Sequence, residues 1–200
     1  MAENYQKMLE DTINALGDRT PSLLLHACCA PCASYVLEYL AEHFSVTVLY
    51  YNPNTHPTAE YEKRLCELKK LLSLLKTKNP VNLLCGEYNP GAFYKLVSGL
   101  EAEPEGGGRC RLCFDLRLEE TARLAKEGRF DYFTTTLTVS PYKSAAVINT
   151  VGRNMSEKYR VPYLYSDFKK RDGYKRSIEL SDKYGLYRQN YCGCEFSKRG

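Results

Sequence analysis

Three short cysteine clusters hold the residues of this sequence best suited to chemistry. They are CCAPC (28–32), CRLC (110–113) and CGC (192–194). A thiolate is both a metal ligand and a redox nucleophile, and clustered cysteines in a reducing compartment more often serve one of these roles than form structural disulfides. The chain has nine cysteines, an odd number that fits a complete disulfide framework poorly. The clusters therefore predict a metal site or a redox site.

The spacing within the first two clusters favours metal binding. CRLC is a CxxC sequence, whose spacing lets two sulfurs reach one metal ion or cluster. Cys28 and Cys29 follow an apolar run, and Pro31 is well placed to begin a helix, whose N-terminus favours the thiolate form of a neighbouring cysteine. Four thiolates suit zinc or a [4Fe–4S] cluster equally, although the tandem cysteines differ from the paired CxxC of a zinc ribbon.

The third cluster permits a different chemistry. Two cysteines separated by one glycine can close a very small disulfide ring, which is expected to be strained and easily reduced. Cys192 and Cys194 are thus interpreted as a two-electron redox pair or as two further metal ligands. The two remaining cysteines, Cys66 and Cys85, lie in helix and strand patterns and are expected in the core.

Composition is that of an ordinary globular protein, with 44% hydrophobic and 26% charged residues. No apolar run is long enough to cross a bilayer, and the start MAENYQKMLEDTINAL lacks the features of a signal peptide. We therefore expect a cytoplasmic protein with no membrane contact. The net charge of +4 permits an acidic partner without requiring one.

Strand and helix patterns alternate along the chain. Five strands are predicted, at 22–27, 46–52, 81–88, 131–139 and 161–167. Six helices are predicted, at 31–43, 57–77, 90–100, 111–127, 143–159 and 172–183. The segment EAEPEGGGR (101–109) is expected to be a flexible lead into CRLC. This alternation predicts one α/β domain over residues 1–200, with an open, mostly parallel, Rossmann-like or HUP-like sheet and helices on both faces.

Such a sheet binds ligands beyond the carboxyl ends of its strands. Polar residues follow every predicted strand at that edge: Cys28, Cys29, Asn52, Asn54, His56, Glu87, Ser140, Tyr142, Lys143 and Asp167. The active site is expected among them, although polar residues are common in any loop.

Several motifs together resemble the QueH family of epoxyqueuosine reductases. They are LLLHACCAPCASYV, YNPNTHPTAEYEKR, GLEAEPEGGGRCRLCFDLRLEETA, FTTTLTVSPYK and YCGC, in order from about residue 20 to the end. The resemblance implies the last step of queuosine synthesis on tRNA, in which epoxyqueuosine loses its epoxide oxygen and a cyclopentene remains. It also implies that no cobalamin is used and that an external electron donor is needed.

The resemblance supports a [4Fe–4S] cluster bound by Cys28, Cys29, Cys110 and Cys113, with Cys192 and Cys194 as the redox pair. Since one cluster does not use every thiol, we hypothesise an additional iron that acts as a Lewis acid on the epoxide oxygen. Its candidate ligands are Cys32, Asp115, Cys192 and Cys194.

Residues for the substrate are less sharply defined. His56, Tyr142 and Lys143 are candidate proton donors. We predict His56 and Asp115 as catalytic residues, and Tyr142 and Lys143 as contacts to the substrate. Asn52 and Asn54 are candidate hydrogen-bonding partners of the substrate. The competing interpretations are that His56 orders its own turn and that Asp115 pairs with Arg117 or begins a helix.

The C-terminal third is the expected tRNA contact surface. Basic residues in KKRDGYKR (169–176), Arg188 and Lys198–Arg199 lie among tyrosines at positions 174, 187 and 191. Basic side chains bind phosphate and aromatic rings stack on exposed bases, but a solvated helix face would look the same.

Two other functions remain open at this point. An ATP-dependent PP-loop enzyme that modifies tRNA would need a Gly/Ser-rich phosphate loop after the first strand, where this chain has HACCAPC. A non-catalytic, zinc-binding nucleic-acid module would explain two cysteine clusters but would leave CGC without a role. The sequence indicates no oligomeric state.

Overall fold

A four-stranded parallel sheet forms the centre of the molecule. The computed structural model describes residues 3–198. The strands are β1 (Ser22–His26), β2 (Ser45–Tyr50), β3 (Val81–Cys85) and β4 (Tyr132–Thr135). They lie in the order β3-β2-β1-β4, and all three neighbouring pairs are parallel. Each crossover between parallel strands contains at least one helix, as such connections require.

Helices cover both faces of the sheet. Their bounds are α1 (Tyr5–Asn14), α2 (Ala30–Leu40), α3 (Thr58–Leu74), α4 (Pro90–Val97), α5 (Gly108–Glu127), α6 (Ala145–Tyr159) and α7 (Gly173–Lys183). In β1, Leu23 and Leu25 belong to the core beneath α2 and α3, whereas Leu24 belongs to the core beneath α5 and α6. This alternation is what period-two side chains give to a strand that is buried on both sides.

The predicted fold class is confirmed: the chain forms an open parallel α/β sheet with helices on both faces. Helix α1, which no sequence pattern predicted, is capped by the Asn4 side chain accepting from the Lys7 N–H at 3.1 Å. Helix α3 turns one apolar face to the core: Leu68 is fully buried, and Leu65 and Leu72 pack against the same core. No helix among residues 3–198 combines the length and the apolar composition needed to cross a membrane.

The fifth predicted strand (161–167) is wrong, because the segment makes only an isolated bridge between Tyr163 and Phe133. Pro162 has no N–H to donate, so it contributes only its carbonyl, which accepts from the Phe133 N–H at 3.1 Å. Three residues past the bridge, the Asn149 side chain hydrogen-bonds both main-chain groups of Ser166, accepting from its N–H at 3.1 Å and donating to its carbonyl at 2.8 Å. These groups are therefore not available to a strand ladder.

The fourth predicted strand is shorter than the pattern 131–139 indicated. It ends at Thr135, and a 3₁₀ turn follows at Thr136–Val139. The Thr135 hydroxyl accepts from the Leu137 N–H at 3.2 Å and thereby begins the turn. The chain leaves the sheet here, beside the end of β1.

A candidate thiol-rich active site

The loops that leave β1 and β4 meet at the carboxyl edge of the sheet. Strand β1 has β2 on one side and β4 on the other, so the chain order reverses at this point, where open α/β sheets bind ligands. The main-chain N–H of Cys28, after β1, donates to the Thr136 hydroxyl, after β4, at 3.3 Å. The Cys28 sulfur lies 3.6 Å from the same oxygen. The first cysteine cluster is therefore fixed at the crevice.

The CCAPC segment gathers three sulfurs at the N-terminus of α2. Cys29 is the N-cap residue, with an extended backbone, and Pro31 lies in the first turn as predicted. The sulfurs of Cys28 and Cys29 are 3.7 Å apart. Within residues 3–198, Cys28, Cys29 and Cys32 are the group of potential metal ligands whose donor atoms all lie within 4.8 Å of one another. The local fold thus preorganises a thiol site.

Hydrogen bonds among the three thiols shift their pKa values in opposite directions. Hydrogen bonds from Cys29 and Cys32 hold the pKa of Cys28 well below its usual range, and Lys143 and Thr136 act in the same direction. The same hydrogen bond to Cys28 raises the pKa of Cys29 to about 12, and those to Cys28 and Cys29 raise that of Cys32 well above its usual range. Hydrogen bonding within the cluster therefore favours the thiolate form at Cys28 and the thiol form at Cys29 and Cys32.

The CRLC cysteines lie on one face of the first turns of α5. Cys110 and Cys113 are three residues apart, a spacing that places two helical side chains side by side. The Cys110 sulfur accepts from the Gly106 N–H at 3.2 Å. Cys113 is buried, and burial raises the pKa of its thiol to about 12.

The segment before CRLC, expected to be flexible, is a hydrogen-bonded loop. The Glu103 carboxylate accepts from the Gly108 N–H at 2.7 Å. Arg109, only 1% exposed, donates through Nη1 to the carbonyls of Glu101 and Glu103 at 2.7 and 2.5 Å. Arg109 thereby ties the loop to the start of α5.

The CGC segment is attached to α3 and to the loop before it. The fully buried Arg64 donates to the main-chain carbonyl of Cys192 at 2.9 Å, and the His56 N–H donates to the carbonyl of Gly193 at 2.9 Å. Cys194 packs in a small apolar cluster with Cys113, and burial raises the pKa of its thiol. Cys192 and Cys194 are both free thiols.

Two adjoining cavities lie among the three cysteine segments. The larger, of about 310 Å³, is lined by Cys28, Cys32 and Cys192 together with the loop after β4 and the chain at 188–191. The smaller, of about 50 Å³, is lined by Cys110, Cys113, Cys192 and Cys194. Cys192 lines both, as do Glu105, Tyr142 and Lys143. The three predicted segments thus meet, with Cys28 and Cys32 on one side of Cys192 and the CRLC cysteines on the other.

Tyr142 and Lys143 are the predicted substrate residues that line the cavities. Tyr142 is 65% exposed, at the mouth, and Lys143 is half-buried. Burial acts to lower the pKa of Lys143, but the nearby sulfurs of Cys192, Cys28 and Cys32 outweigh it and raise the pKa overall. A permanent positive charge therefore lies beside the thiols.

The other predicted polar residues occupy different positions. The Asn52 side chain is buried and donates to the Ala27 carbonyl at 2.9 Å, while Asn54 is buried with no hydrogen-bond partner for its Oδ1 among the described residues. The His56 ring packs edge-on against Tyr94. Asp115 is half-buried, and burial raises its pKa. These four are not among the described residues that line the two cavities.

The basic stretch 169–176 is partly neutralised by carboxylates of this chain. Lys169 pairs with Asp167 at 2.6 Å, and Arg171 with Glu10 at 2.7 Å. Arg176 pairs with Glu38 and Glu179. Arg188, in contrast, is exposed and lines the larger cavity with Tyr174 and Tyr191. Arg199 lies outside the described residues.

Cys66 and Cys85, expected in the core, are both exposed. Cys85 ends β3, which is an edge strand, and Cys66 lies beside the apolar stripe of α3 rather than on it. Neither Cys66 nor Cys85 is among the residues that line the two cavities. They are matched controls for the clustered thiols.

Sequence reasoning missed three residues that build the site: Thr136, Arg64 and Arg117. One of them carried a signal, since Arg117 follows Cys110 and Cys113 at the spacing of a single helix face. The structure places Arg117 in the wall of the smaller cavity. Thr136 and Arg64 act through contacts distant in sequence, which no local pattern encodes.

Fold and site together define a class: an α/β protein with a thiol-rich centre for metal or redox chemistry at the reversal point of a parallel sheet. Comparison with known proteins narrows the class. The family model described as epoxyqueuosine reductase QueH matches residues 23–200. The chain therefore belongs to the QueH family of epoxyqueuosine reductases, which are oxidoreductases.

Curated relatives named epoxyqueuosine reductase QueH are similar in sequence to most of this chain. The epoxyqueuosine reductase QueH of Streptococcus pyogenes serotype M1 is 44% identical over 98% of this chain and 78% of its own length. That of Staphylococcus epidermidis is 43% identical over 97% of this chain and 84% of its own length. That of Thermotoga maritima is 36% identical over 88% of this chain and 90% of its own length.

Proposed function

We propose that this protein reduces epoxyqueuosine to queuosine in tRNA. The observation that carries the proposal is the convergence of three cysteine segments on two adjoining cavities that share Cys192, in a chain of the QueH family. The larger cavity is the substrate side, and the metal side is the smaller cavity together with the adjoining wall of the larger one that carries Cys28 and Cys32. Reduction removes the epoxide oxygen as water and leaves the cyclopentene, which takes two electrons and two protons.

Cys28, Cys29, Cys110 and Cys113 would hold a [4Fe–4S] cluster. The donor set suits such a group, because it offers four free sulfur ligands and because hydrogen bonding favours the thiolate form at Cys28. Cys28 lines the larger cavity, Cys110 and Cys113 line the adjoining smaller one, and Cys29 is the neighbour of Cys28 at the start of α2. The bound cluster would pass electrons on one at a time. Cobalamin has no part in the proposal.

Cys192 and Cys194 provide the two-electron couple. When their sulfurs join in a disulfide, two electrons and two protons are released, which equals what the epoxide consumes in becoming an alkene and water. Cys192 lines both cavities, so it lies between the substrate side and the metal side. An external electron donor then returns the pair to the dithiol.

An additional iron would be held by residues that the cluster does not use. Cys32 and Cys192 line the same cavity, which supports them as ligands. Cys192 and Cys194 would ligate this iron as the alternative to forming a disulfide. Asp115 is the weakest of the four predicted ligands, since it is not among the residues that line either cavity. Iron in excess of sulfide in the purified protein would support this site.

The larger cavity has the groups that a modified nucleoside needs. The ammonium of Lys143 stabilises negative charge on the departing oxygen. The rings of Tyr174 and Tyr191 offer stacking surfaces, and Arg188 offers a phosphate contact at the rim. His56 orders CGC through its main chain, which supports a positioning role in place of acid catalysis.

A single-turnover experiment tests the proposal. The protein is purified without oxygen, assayed for iron, sulfide and zinc, reduced, freed of reductant and mixed with tRNA that carries epoxyqueuosine. We expect queuosine to form together with a disulfide between Cys192 and Cys194, seen by peptide mass spectrometry. The variant Cys192→Ser/Cys194→Ser should form none, whereas Cys66→Ser/Cys85→Ser should match the parent. Zinc without sulfide, or turnover that leaves both thiols reduced, would contradict the mechanism.

A further inference from the structure

Arg117 carries a buried charge whose outer nitrogens have no partner. The residue is 1% exposed, and its Nε donates to the carbonyl of Cys113 at 3.1 Å. Nη1 and Nη2 are buried and make no hydrogen bond to any described residue. Asp115, two positions earlier, is not among its partners. The Phe114 ring lies beside the guanidinium, with its centroid 5.7 Å from Cζ, but a ring carries no net charge. Burying a guanidinium with no anionic hydrogen-bond partner is strongly unfavourable, so this arrangement points to an anion.

The other two fully buried arginines differ from Arg117. Arg64 is satisfied by Glu60 at 2.7 Å and by the main-chain carbonyl of Cys192. Arg109 donates through Nη1 to three main-chain carbonyls of the preceding loop. Both arginines hold backbone segments in place. Arg117 holds none with its outer nitrogens, and it lines the smaller cavity with the cysteines of CRLC and CGC.

The groups that act most strongly on the charge of Arg117 are sulfurs, and the Glu105 carboxylate lines the same cavity. Burial acts to lower the pKa of Arg117, but Cys113, Cys192, Cys28 and Cys110 outweigh burial and raise it. These cysteines come from all three clusters. The guanidinium lies in the wall of the smaller cavity with the cysteines of CRLC and CGC, which are proposed metal or redox thiols.

We propose that Arg117 is the buried counter-charge of the metal–thiolate group that these cysteines hold. The inference rests on the proposed function, because a cluster bound by four thiolates is anionic. The role is that of a positioning residue: Arg117 donates N–H groups toward the ligand sulfurs and balances their charge. Because the reduced cluster is the more negative form, a fixed positive charge favours reduction and raises the reduction potential.

The first test compares reduction potentials. Arg117→Gln removes the charge, Arg117→Lys keeps it, and Arg123→Gln is the matched control on the exposed part of the same helix, where Arg123 pairs with Glu120 and Glu127. Each protein is loaded with iron and sulfide without oxygen and titrated while its visible absorption is followed. We expect Arg117→Gln to shift to a more negative potential, Arg117→Lys to remain nearer the parent and Arg123→Gln to be unchanged. An unchanged potential in a fully loaded Arg117→Gln would overturn the inference.

The second test uses melting temperature and needs no turnover. Loading should raise the melting temperature of the parent more than that of Arg117→Gln, because binding to the folded state stabilises it in proportion to affinity. Without metal, Arg117→Gln should melt no lower than the parent, since an unpaired buried charge has been removed. A loss of stability that is equal with and without metal would make Arg117 an ordinary structural residue and would overturn the proposal.

The two tests separate this inference from the proposed reductase activity. A parent protein that binds zinc and no sulfide contradicts the reductase mechanism, and the melting comparison repeated with zinc then decides the role of Arg117. A parent that carries the cluster while Arg117→Gln behaves identically contradicts the role of Arg117 alone.

Discussion

Arg64 of α3 and Cys192 of the CGC segment are joined by a hydrogen bond of 2.9 Å from guanidinium to main-chain carbonyl. The same guanidinium lies over the ring of Tyr191, 5.0 Å from its centroid, and pairs with Glu60 at 2.7 Å. One buried side chain therefore fixes the backbone on which the proposed redox pair is carried. The position of Cys192 depends on a residue 128 positions earlier in the chain.

Arg64→Met should release the CGC segment. Removing one partner of a buried ion pair lowers the free energy of unfolding by about 3 kcal/mol, and the loss of position lowers turnover by about a hundredfold. Denaturant unfolding and amide hydrogen exchange of residues 190–197 would measure both effects. Lys69→Met, at an exposed position of the same helix, should change neither. Unaltered exchange in Arg64→Met would contradict this role.

Gly193→Ala should displace the thiols on either side of it. Gly193 has φ +112°, and a Cβ there would lie 2.8 Å from Nη1 of Arg64 and 2.9 Å from the Thr55 hydroxyl. Backbone strain alone costs about 1–3 kcal/mol, and the contact adds to it. Gly99→Ala is the control, because Gly99 has φ +85° with nothing within 4 Å of its Cβ position. If disulfide formation slows equally in both variants, the contact with Arg64 is unimportant.

Iron content should separate the cysteines into classes. Cys28→Ser and Cys113→Ser remove proposed cluster ligands and should abolish bound sulfide and most of the iron. Cys32→Ser should keep the sulfide and lose only the additional iron. Cys66→Ser, at an exposed site, should retain both. Iron and sulfide assays on anaerobically prepared protein give the answer, and loss of sulfide in Cys32→Ser would move that residue into the cluster ligand set.

Asp131 should make stability depend on pH below about 4. Its carboxylate accepts from the Ser22 hydroxyl at 2.7 Å and the Ser22 N–H at 2.8 Å, and these bonds lower its pKa. The stabilisation is therefore present above the ordinary Asp pKa and is lost as pH falls through the lower folded-state value. Asp131→Asn should melt lower than the parent at pH about 7 and converge with it in acid. Asp182→Asn, at an exposed position, should run parallel to the parent, and a constant deficit in Asp131→Asn would contradict the linkage.

Arg188 should contribute to tRNA binding more than the predicted stretch 169–176. Arg188→Gln removes a cation at the rim of the larger cavity, so binding should weaken and the slope of log affinity against log salt should fall by about one. Arg171→Gln should have a smaller effect, because Glu10 already pairs with Arg171 at 2.7 Å. Filter binding over a salt series measures both slopes. A larger loss of tRNA binding in Arg171→Gln than in Arg188→Gln would show that residues 169–176 form the main contact surface.

Much of the fold could be predicted from local patterns. Alternating apolar runs predicted β1 to β4, and the tandem cysteines marked the end of β1 where the crevice lies. The prediction of a strand at 161–167 is wrong because the Asn149 side chain, from a preceding helix, hydrogen-bonds both main-chain groups of Ser166. Cys85 was expected to be buried, but strand order, which no local pattern encodes, places β3 at the sheet edge.

The site itself was only partly accessible from sequence. The three cysteine clusters were evident from spacing, whereas their supports were not, because Arg64 and Thr136 act across more than a hundred positions of the chain. Arg117 could have been identified from its helical spacing to Cys113. That its Nη1 and Nη2 have no hydrogen-bond partner among the described residues is seen only in the structure.

The wide separation of the three cysteine segments has a consequence for how the protein is made in the cell. During synthesis, CCAPC and CRLC emerge from the ribosome well before CGC. Until residues 191–192 are made, Arg64 lacks the two main-chain carbonyls to which it donates in the folded protein. The sheet strands are all synthesised by residue 135, so the scaffold can form while the last wall of both cavities is absent. Metal delivery during synthesis would meet an open, incomplete thiol site that other soft metals can enter. The order of the segments therefore favours insertion of the proposed iron only after translation has ended.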